Sequence, residues 1–136
     1  MAYTASATST AGRNGHVESS DGIVKLDLAM PKELGGSGKP GAGNPEELFA
    51  AGYSACFGSA LCLVASQAKV QPKEIRVTAD VTIDKNDSGF FLAVRLRGSL
   101  PGVDRATAEK LMQEAHQVCP YSKATRGNID VKLEVA

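Results

Sequence analysis

The chain has 136 residues, 43% hydrophobic and 22% charged, the composition of one globular domain rather than a disordered chain or two domains. Lys+Arg 15 against Asp+Glu 15 gives a formal net charge of 0, without the basic excess of a nucleic-acid binder or a polybasic membrane binder. Three cysteines, Cys56, Cys62 and Cys119, are too few for a secreted disulfide framework, and the N-terminal residues lack the basic and apolar stretches of a secretory signal. The expectation is a cytoplasmic protein with no membrane association, in which a cysteine pair does chemistry rather than stapling.

Residues 3–10 carry Ser, Thr and Ala with weak alternation and predict an edge strand. Gly12-Arg13-Asn14-Gly15 is turn chemistry, and 16–18 predicts a returning strand. Asp21-Gly22 signals a hairpin before the alternating residues 23–28, so the region reads as an antiparallel meander. Residues 31–44, rich in glycine and proline, predict a mobile surface loop. Its Gly38-Lys39 makes no phosphate loop, because Pro40 stands where Ser or Thr is needed and Glu33 where the first Gly is needed.

Asn44-Pro45-Glu46-Glu47 is a helix start: Asn44 suits the N-cap, Pro45 the first helical position, and the two acids face the positive end of the dipole. The helix is predicted to reach about Lys69. Residues 48–68 carry no charge over 21 positions, long enough to span a bilayer. Ala, Gly, Ser and Cys dominate the stretch, however, which reads as a buried central helix of a soluble protein. Small residues at Ala51, Ala55, Gly58 and Cys62 admit a close neighbour, such as the same helix of a second subunit.

After Pro72, residues 75–83 alternate and predict a strand; Asn86-Asp87-Ser88-Gly89 is a turn, and 90–100 predicts the returning strand. Asp104 caps a predicted helix over 105–118, with Ala108, Leu111, Met112, Ala115 and Val118 on one side. Residues 129–135 alternate again. The order is βββ-α-ββ-α-β. Strands with one wet face and one helix-covered face give an α+β fold with an antiparallel-rich sheet, in a single domain over 1–136 without repeats.

Cys56 lies mid-helix and is either a small buried hydrophobe or a nucleophile. Cys119 ends a helix beside Pro120, which predicts the more accessible thiol. Cys62 follows Cys56 by about 600° of helix, leaving it about 120° off, so those two cannot bridge and Cys62 reads as structural. A thiol peroxidase needs a thiolate, a cation that lowers its pKa and holds the peroxide, and a second thiol that resolves the sulfenic acid. Arg13, in its glycine turn, and Arg126 compete for the cation's role. Glu47 stands where a capping box needs an acid, which leaves Glu46 either to orient an arginine or to act as a surface acid at the dipole. Glu46 and Cys56 lie about 15 Å apart along a straight helix, so a shared site needs a break near Gly52 or a second subunit. His116 shares a face with Cys119, but neither histidine has the company of a metal site, and no metal is expected.

Two segments, Asn44-Pro45-Glu46-Glu47-Leu48-Phe49-Ala50-Ala51-Gly52-Tyr53-Ser54-Ala55-Cys56-Phe57 and Val118-Cys119-Pro120-Tyr121-Ser122-Lys123-Ala124-Thr125-Arg126-Gly127-Asn128-Ile129-Asp130-Val131, resemble the signature regions of the organic hydroperoxide resistance proteins. These form a branch of the OsmC-like superfamily, and the resemblance covers essentially the whole chain. The Tyr53-Ser54-Ala55-Cys56-Phe57 and Cys119-Pro120-Tyr121-Ser122 forms favour this branch over its osmotically induced sister.

The resemblance implies an intertwined homodimer, with antiparallel-rich sheets wrapped around central helices and two sites at the subunit interface. It implies a thiol-dependent peroxidase that reduces alkyl and fatty-acid hydroperoxides to alcohols in defence against oxidative stress. The residue match makes Cys56 the peroxidatic cysteine, Cys119 the resolving cysteine, Arg13 the activating arginine and Glu46 its partner. No bound cofactor is implied; the reductant is an external dithiol, a dihydrolipoyl group on a carrier protein. Leu48, Phe49, Phe57 and Met112 are candidates for a wall that accepts the alkyl chain, or are plain core. Two alternatives remain open: a sister-branch peroxidase with a broader peroxide range, and a peroxide sensor or hydrophobe-binding dimer whose cysteines oxidise without cycling.

Overall fold

In the computed structural model, which describes residues 1–136, the chain divides into two units, Met1–Leu48 and Phe49–Ala136. In the first, β1 (Ala7–Thr10), β2 (His16–Ser19) and β3 (Lys25–Asp27) form the expected antiparallel meander in the order β1-β2-β3. A 3₁₀ turn, Gly12–Asn14, links β1 to β2 and carries Arg13; Ala11 and Gly12 adopt left-handed φ of 60° and 55° to make it. Two bonds pin this turn: Met30 N–H donates to Asn14 Oδ1 at 3.2 Å, and Leu28 N–H to the Gly15 carbonyl at 2.8 Å.

The strand expected over 23–28 is shorter. The Asp21 carboxylate captures the Ile23 N–H at 3.0 Å, which holds Ile23 in the hairpin loop, 83% exposed. The glycine-rich loop expected to be mobile is tied along its length. It holds a 3₁₀ turn at Lys32–Leu34, and the N–H groups of Gly36, Gly38 and Gly43 donate to the Pro31, Met30 and Asp27 carbonyls.

Helix α1 (Pro45–Gln67) starts where its cap residues predict. Asn44 Oδ1 accepts from the Glu47 N–H at 2.8 Å, and Asn44 Nδ2 donates to Glu47 Oε1 at 3.0 Å, a side-chain version of the capping box. The helix runs unbroken through Gly52, which removes the option of a break there.

Its buried residues Tyr53, Phe57, Ala60, Leu61, Val64 and Ala65 share one face at helical spacing. The opposite face, with Ala51, Ala55, Cys62 and Leu63, is exposed. The prediction of burial all round therefore fails within one protomer: the helix is long and apolar enough to cross a membrane, yet 33% of its apolar window is buried.

In the second unit, β4 (Arg76–Asn86) and β5 (Gly89–Ser99) form a hairpin around Asp87-Ser88, closed by Gly89 at a φ of 114°. Strand β6 (Asp130–Val135) pairs parallel to β5, because two helices cross over between them. Helix α2 (Arg105–Val118) is capped by Asp104, which accepts from the Thr107 N–H at 3.0 Å. Helix α3 (Pro120–Thr125) goes unannounced by the sequence pattern, since six residues are too few to show a period.

The core joins α1 to β5 and α2 through Phe57, Leu61, Leu96, Leu111 and Met112. Gly98 permits the close approach of α2, since a Cβ there would collide with Met112 Sδ. Phe57 and Met112 are fully buried within this core.

Candidate active site

Helix α1 carries Cys56, and the junction of α2 and α3 carries Cys119. The Cys119 N–H donates to the Ala115 carbonyl at 2.9 Å, closing α2, and its own carbonyl accepts from the Lys123 N–H at 3.0 Å, opening α3. Cys119 is completely buried, the reverse of the accessible thiol predicted, because α3 folds back with Ser122 and Thr125 turned inward. Cys56 is half-buried. The two sulfurs stand 3.5 Å apart as free thiols. A disulfide bond of about 2.05 Å therefore asks for an approach of about 1.5 Å.

Burial pushes the Cys56 thiol up, and the contact with Cys119 adds to the rise, while the backbone N–H of Tyr121 works the other way. Gly52 makes room for this arrangement, because a Cβ there would stand 2.9 Å from Tyr121 Oη. Cys62 lies on the exposed face of α1, free and unbridged.

In the Met1–Leu48 unit, Arg13 and Glu46 form a bidentate pair across 33 residues: Nη1 donates to Oε2 at 2.8 Å, and Nη2 to Oε1 at 2.7 Å. The Arg13 hydrogen bond holds the Glu46 carboxyl below the usual carboxylate range, and the same bond raises Arg13. Two of the five guanidinium N–H donors are thus engaged, leaving three for a ligand. The competing cation, Arg126, is committed elsewhere, donating from Nη1 to the His116 carbonyl at 2.6 Å in the last turn of α2.

The sequence did not reveal a buried polar cluster beside the thiols. Tyr53 Oη lies 2.8 Å from Ser122 Oγ and 3.1 Å from Thr125 Oγ1, and His116 Nδ1 lies 2.8 Å from Ser122 Oγ. The available signal was spacing: Tyr53 precedes Cys56 by three residues, and Ser122 follows Cys119 by three. No group of three His, Cys, Asp or Glu side chains could hold a metal ion.

Residues 36–134 match the OsmC-like protein family. An organic hydroperoxide resistance protein from Xanthomonas axonopodis pv. citri is 51% identical over 135 residues, covering 98% of this chain and 94% of the relative. The crystal structure of an organic hydroperoxide resistance protein from Elizabethkingia anophelis, with thiocyanate bound, is 52% identical at a TM-score of 0.92, covering 100% of this chain and 97% of that one. A protein from Vibrio cholerae, described as a putative organic hydroperoxide resistance protein with captopril bound in one of the active sites, is 51% identical at a TM-score of 0.90, covering 99% of this chain and 92% of that one.

Proposed function

The chain belongs to the organic hydroperoxide resistance branch of the OsmC-like family, and on that premise we propose that it is a peroxide-defence enzyme: a thiol-dependent peroxidase that reduces organic hydroperoxides to alcohols. The observation that carries this reading is the pair of free thiols, Cys56 and Cys119, with sulfurs 3.5 Å apart. Cys56 is the nucleophile. Its thiolate attacks the distal oxygen, an S–O bond forms as the O–O bond breaks, and the alkoxide takes a proton and leaves as the alcohol. Cys119 then attacks the Cys56 sulfenic acid; an S–S bond forms, the S–O bond breaks, and the hydroxyl leaves with the Cys119 proton as water. An external dithiol restores both thiols by two exchanges and is itself oxidised to a disulfide. The sum is hydroperoxide plus dithiol giving alcohol, disulfide and water.

Because burial pushes the Cys56 thiol up, the reading needs a cation that stabilises its thiolate and holds the peroxide oxygens. Arg13 takes that role, with three donors left by Glu46. Glu46, about 15 Å from Cys56 along the unbroken helix, acts through the arginine rather than on the thiol. The substrates in this reading are alkyl and fatty-acid hydroperoxides, with Leu48 and Phe49 the half-buried candidates to receive the chain. The reductant is a dihydrolipoyl group on a carrier protein, in the cytoplasm. The working form is a homodimer, a reading supported by the exposed apolar face of α1 and by the Vibrio relative having more than one active site.

The test is one equivalent of an alkyl hydroperoxide, a quench with a thiol-blocking reagent, and disulfide mapping by mass spectrometry. A Cys56–Cys119 bond within seconds, removed faster by a dihydrolipoyl donor than by a monothiol, is expected. A slow or absent bond overturns the reading in favour of a sensor or binding dimer, and equal rates with hydrogen peroxide move it to the sister branch.

A further inference from the structure

Tyr53 and Cys56 lie three residues apart on α1, and Cys119 and Ser122 lie three residues apart across the start of α3. The fold pairs them crosswise: Cys56 meets Cys119 at 3.5 Å, and Tyr53 Oη meets Ser122 Oγ at 2.8 Å. Side chains three apart on a helix are neighbours on one face, so the hydroxyl pair and the thiol pair are adjacent rungs between the same two segments. The hydroxyl rung is completely buried on both sides, where a hydrogen bond is strong and its loss costly.

Proton counting shows how the cluster is organised. Tyr53, Ser122 and Thr125 each offer one O–H. Thr125 donates its proton to the Ser122 carbonyl at 3.1 Å. For the Tyr53–Thr125 contact of 3.1 Å to be a bond, Tyr53 must then donate to Thr125. Ser122 must in turn donate to Tyr53, which leaves Ser122 Oγ to accept from His116 Nδ1 at 2.8 Å. Only a His116 protonated at Nδ1 satisfies all four contacts. His116 is held a second time through its carbonyl, which accepts from Arg126 Nη1. The last turn of α2 and all of α3 are thus braced against each other and against α1.

We propose that Tyr53, Ser122 and His116 are positioning residues for disulfide formation, holding Cys119 where it captures the Cys56 sulfenic acid before a second hydroperoxide does. The inference rests on the peroxidase reading and adds the partition that the resolving thiol must win. If Cys119 drifts, a second hydroperoxide transfers an oxygen to the sulfenic acid, giving a Cys56 sulfinic acid and another alcohol, and the enzyme is lost.

The experiment titrates wild type, Tyr53→Phe, His116→Ala and His116→Asn with an alkyl hydroperoxide and reads intact mass. Tyr53→Phe keeps the ring and removes the hydroxyl; Asn restores an N–H near the place of Nδ1. The first oxidation of Cys56, measured in a Cys119→Ser background, should stay within about twofold in every variant. In Tyr53→Phe and His116→Ala the hydroperoxide level that converts half of Cys56 to sulfinic acid should fall about tenfold, the scale set by losing a buried hydrogen bond. His116→Asn should recover most of the loss. An unchanged half-point in both Tyr53→Phe and His116→Ala overturns the inference, as does a first step slowed in parallel, which marks general unfolding. A wild-type protein that forms no Cys56–Cys119 bond sinks the peroxidase reading itself, whereas variants that form it as fast as wild type sink only the positioning role.

Discussion

Glu46 is assigned an indirect role, and a double-mutant cycle measures whether it acts only through Arg13. The perturbations are Glu46→Gln, Arg13→Lys and the two combined. The pair makes two charge-assisted bonds of 2.7 and 2.8 Å, with Glu46 13% exposed and Arg13 33% exposed. Exposed ion pairs contribute about 0.2–1 kcal/mol, and breaking a buried one costs about 3–5 kcal/mol. Partial exposure places this pair between them, at a coupling of about 1–2 kcal/mol, or roughly 5–30-fold in rate. Lysine keeps the charge of Arg13 but cannot form the two-point fork.

The assay is the second-order rate constant for Cys56 oxidation by an alkyl hydroperoxide in a Cys119→Ser background, which isolates the first step. Glu46→Gln should slow that step, and the double variant should be no slower than Arg13→Lys alone. Losses that multiply would mean that Glu46 touches the chemistry by another route. An unchanged rate in Glu46→Gln would refute the orienting role.

Cys119→Ser should retain one oxidation event and accumulate Cys56 sulfenic acid, seen by a sulfenic-specific probe, but fail to turn over with a dihydrolipoyl donor; normal turnover would remove Cys119 from the cycle. Gly98→Ala should destabilise the fold by about 1–3 kcal/mol in urea unfolding, because the new methyl meets the fully buried Met112; an unchanged midpoint would show that Met112 repacks freely. The Glu46 carboxyl is held below its ordinary range by Arg13, so its contribution to stability is present above the unfolded carboxylate pKa of about 4.3 and is lost as pH falls through the lowered folded value. Glu46→Gln should therefore flatten the acid limb of stability below about pH 4.3, and an acid limb identical to wild type would refute the linkage.

Much of the fold was legible where local chemistry is decisive. Asn44-Pro45-Glu46-Glu47 marked the start of α1, Asp104 that of α2 and Gly89 the end of the β4–β5 turn, and each does the work its side chain or backbone dictates. The separate duties of the two acids were legible too, since Glu47 joins the cap and Glu46 is left for Arg13. The choice between Arg13 and Arg126 was not, because it depends on a pairing across 33 residues that no local pattern encodes. The burial of Cys119 escaped for a related reason. It follows from α3 turning Ser122 and Thr125 inward against a tyrosine of another helix, and α3 owes its position to that tertiary bond rather than to its own propensity.

The environment of Cys56 combines two opposed influences, and their balance has a chemical consequence. Burial pushes the Cys56 thiol up and the neighbouring thiol adds to the rise, while the Tyr121 N–H works the other way. In the proposed mechanism, a nucleophile in that state would be protected from electrophiles that bring no means of activation and would become reactive when a peroxide and a guanidinium arrive together. Iodoacetamide needs the thiolate but has no peroxide oxygens for an arginine to hold. Its reaction with Cys56 at pH 7 should therefore be slow and should climb with pH, whereas oxidation by an alkyl hydroperoxide should be fast and nearly flat across the same range. Arg13→Lys should then slow the hydroperoxide reaction far more than the alkylation. Equal losses in the two reactions would mean that the arginine only lowers the thiol pKa, and that holding the peroxide is no part of its work.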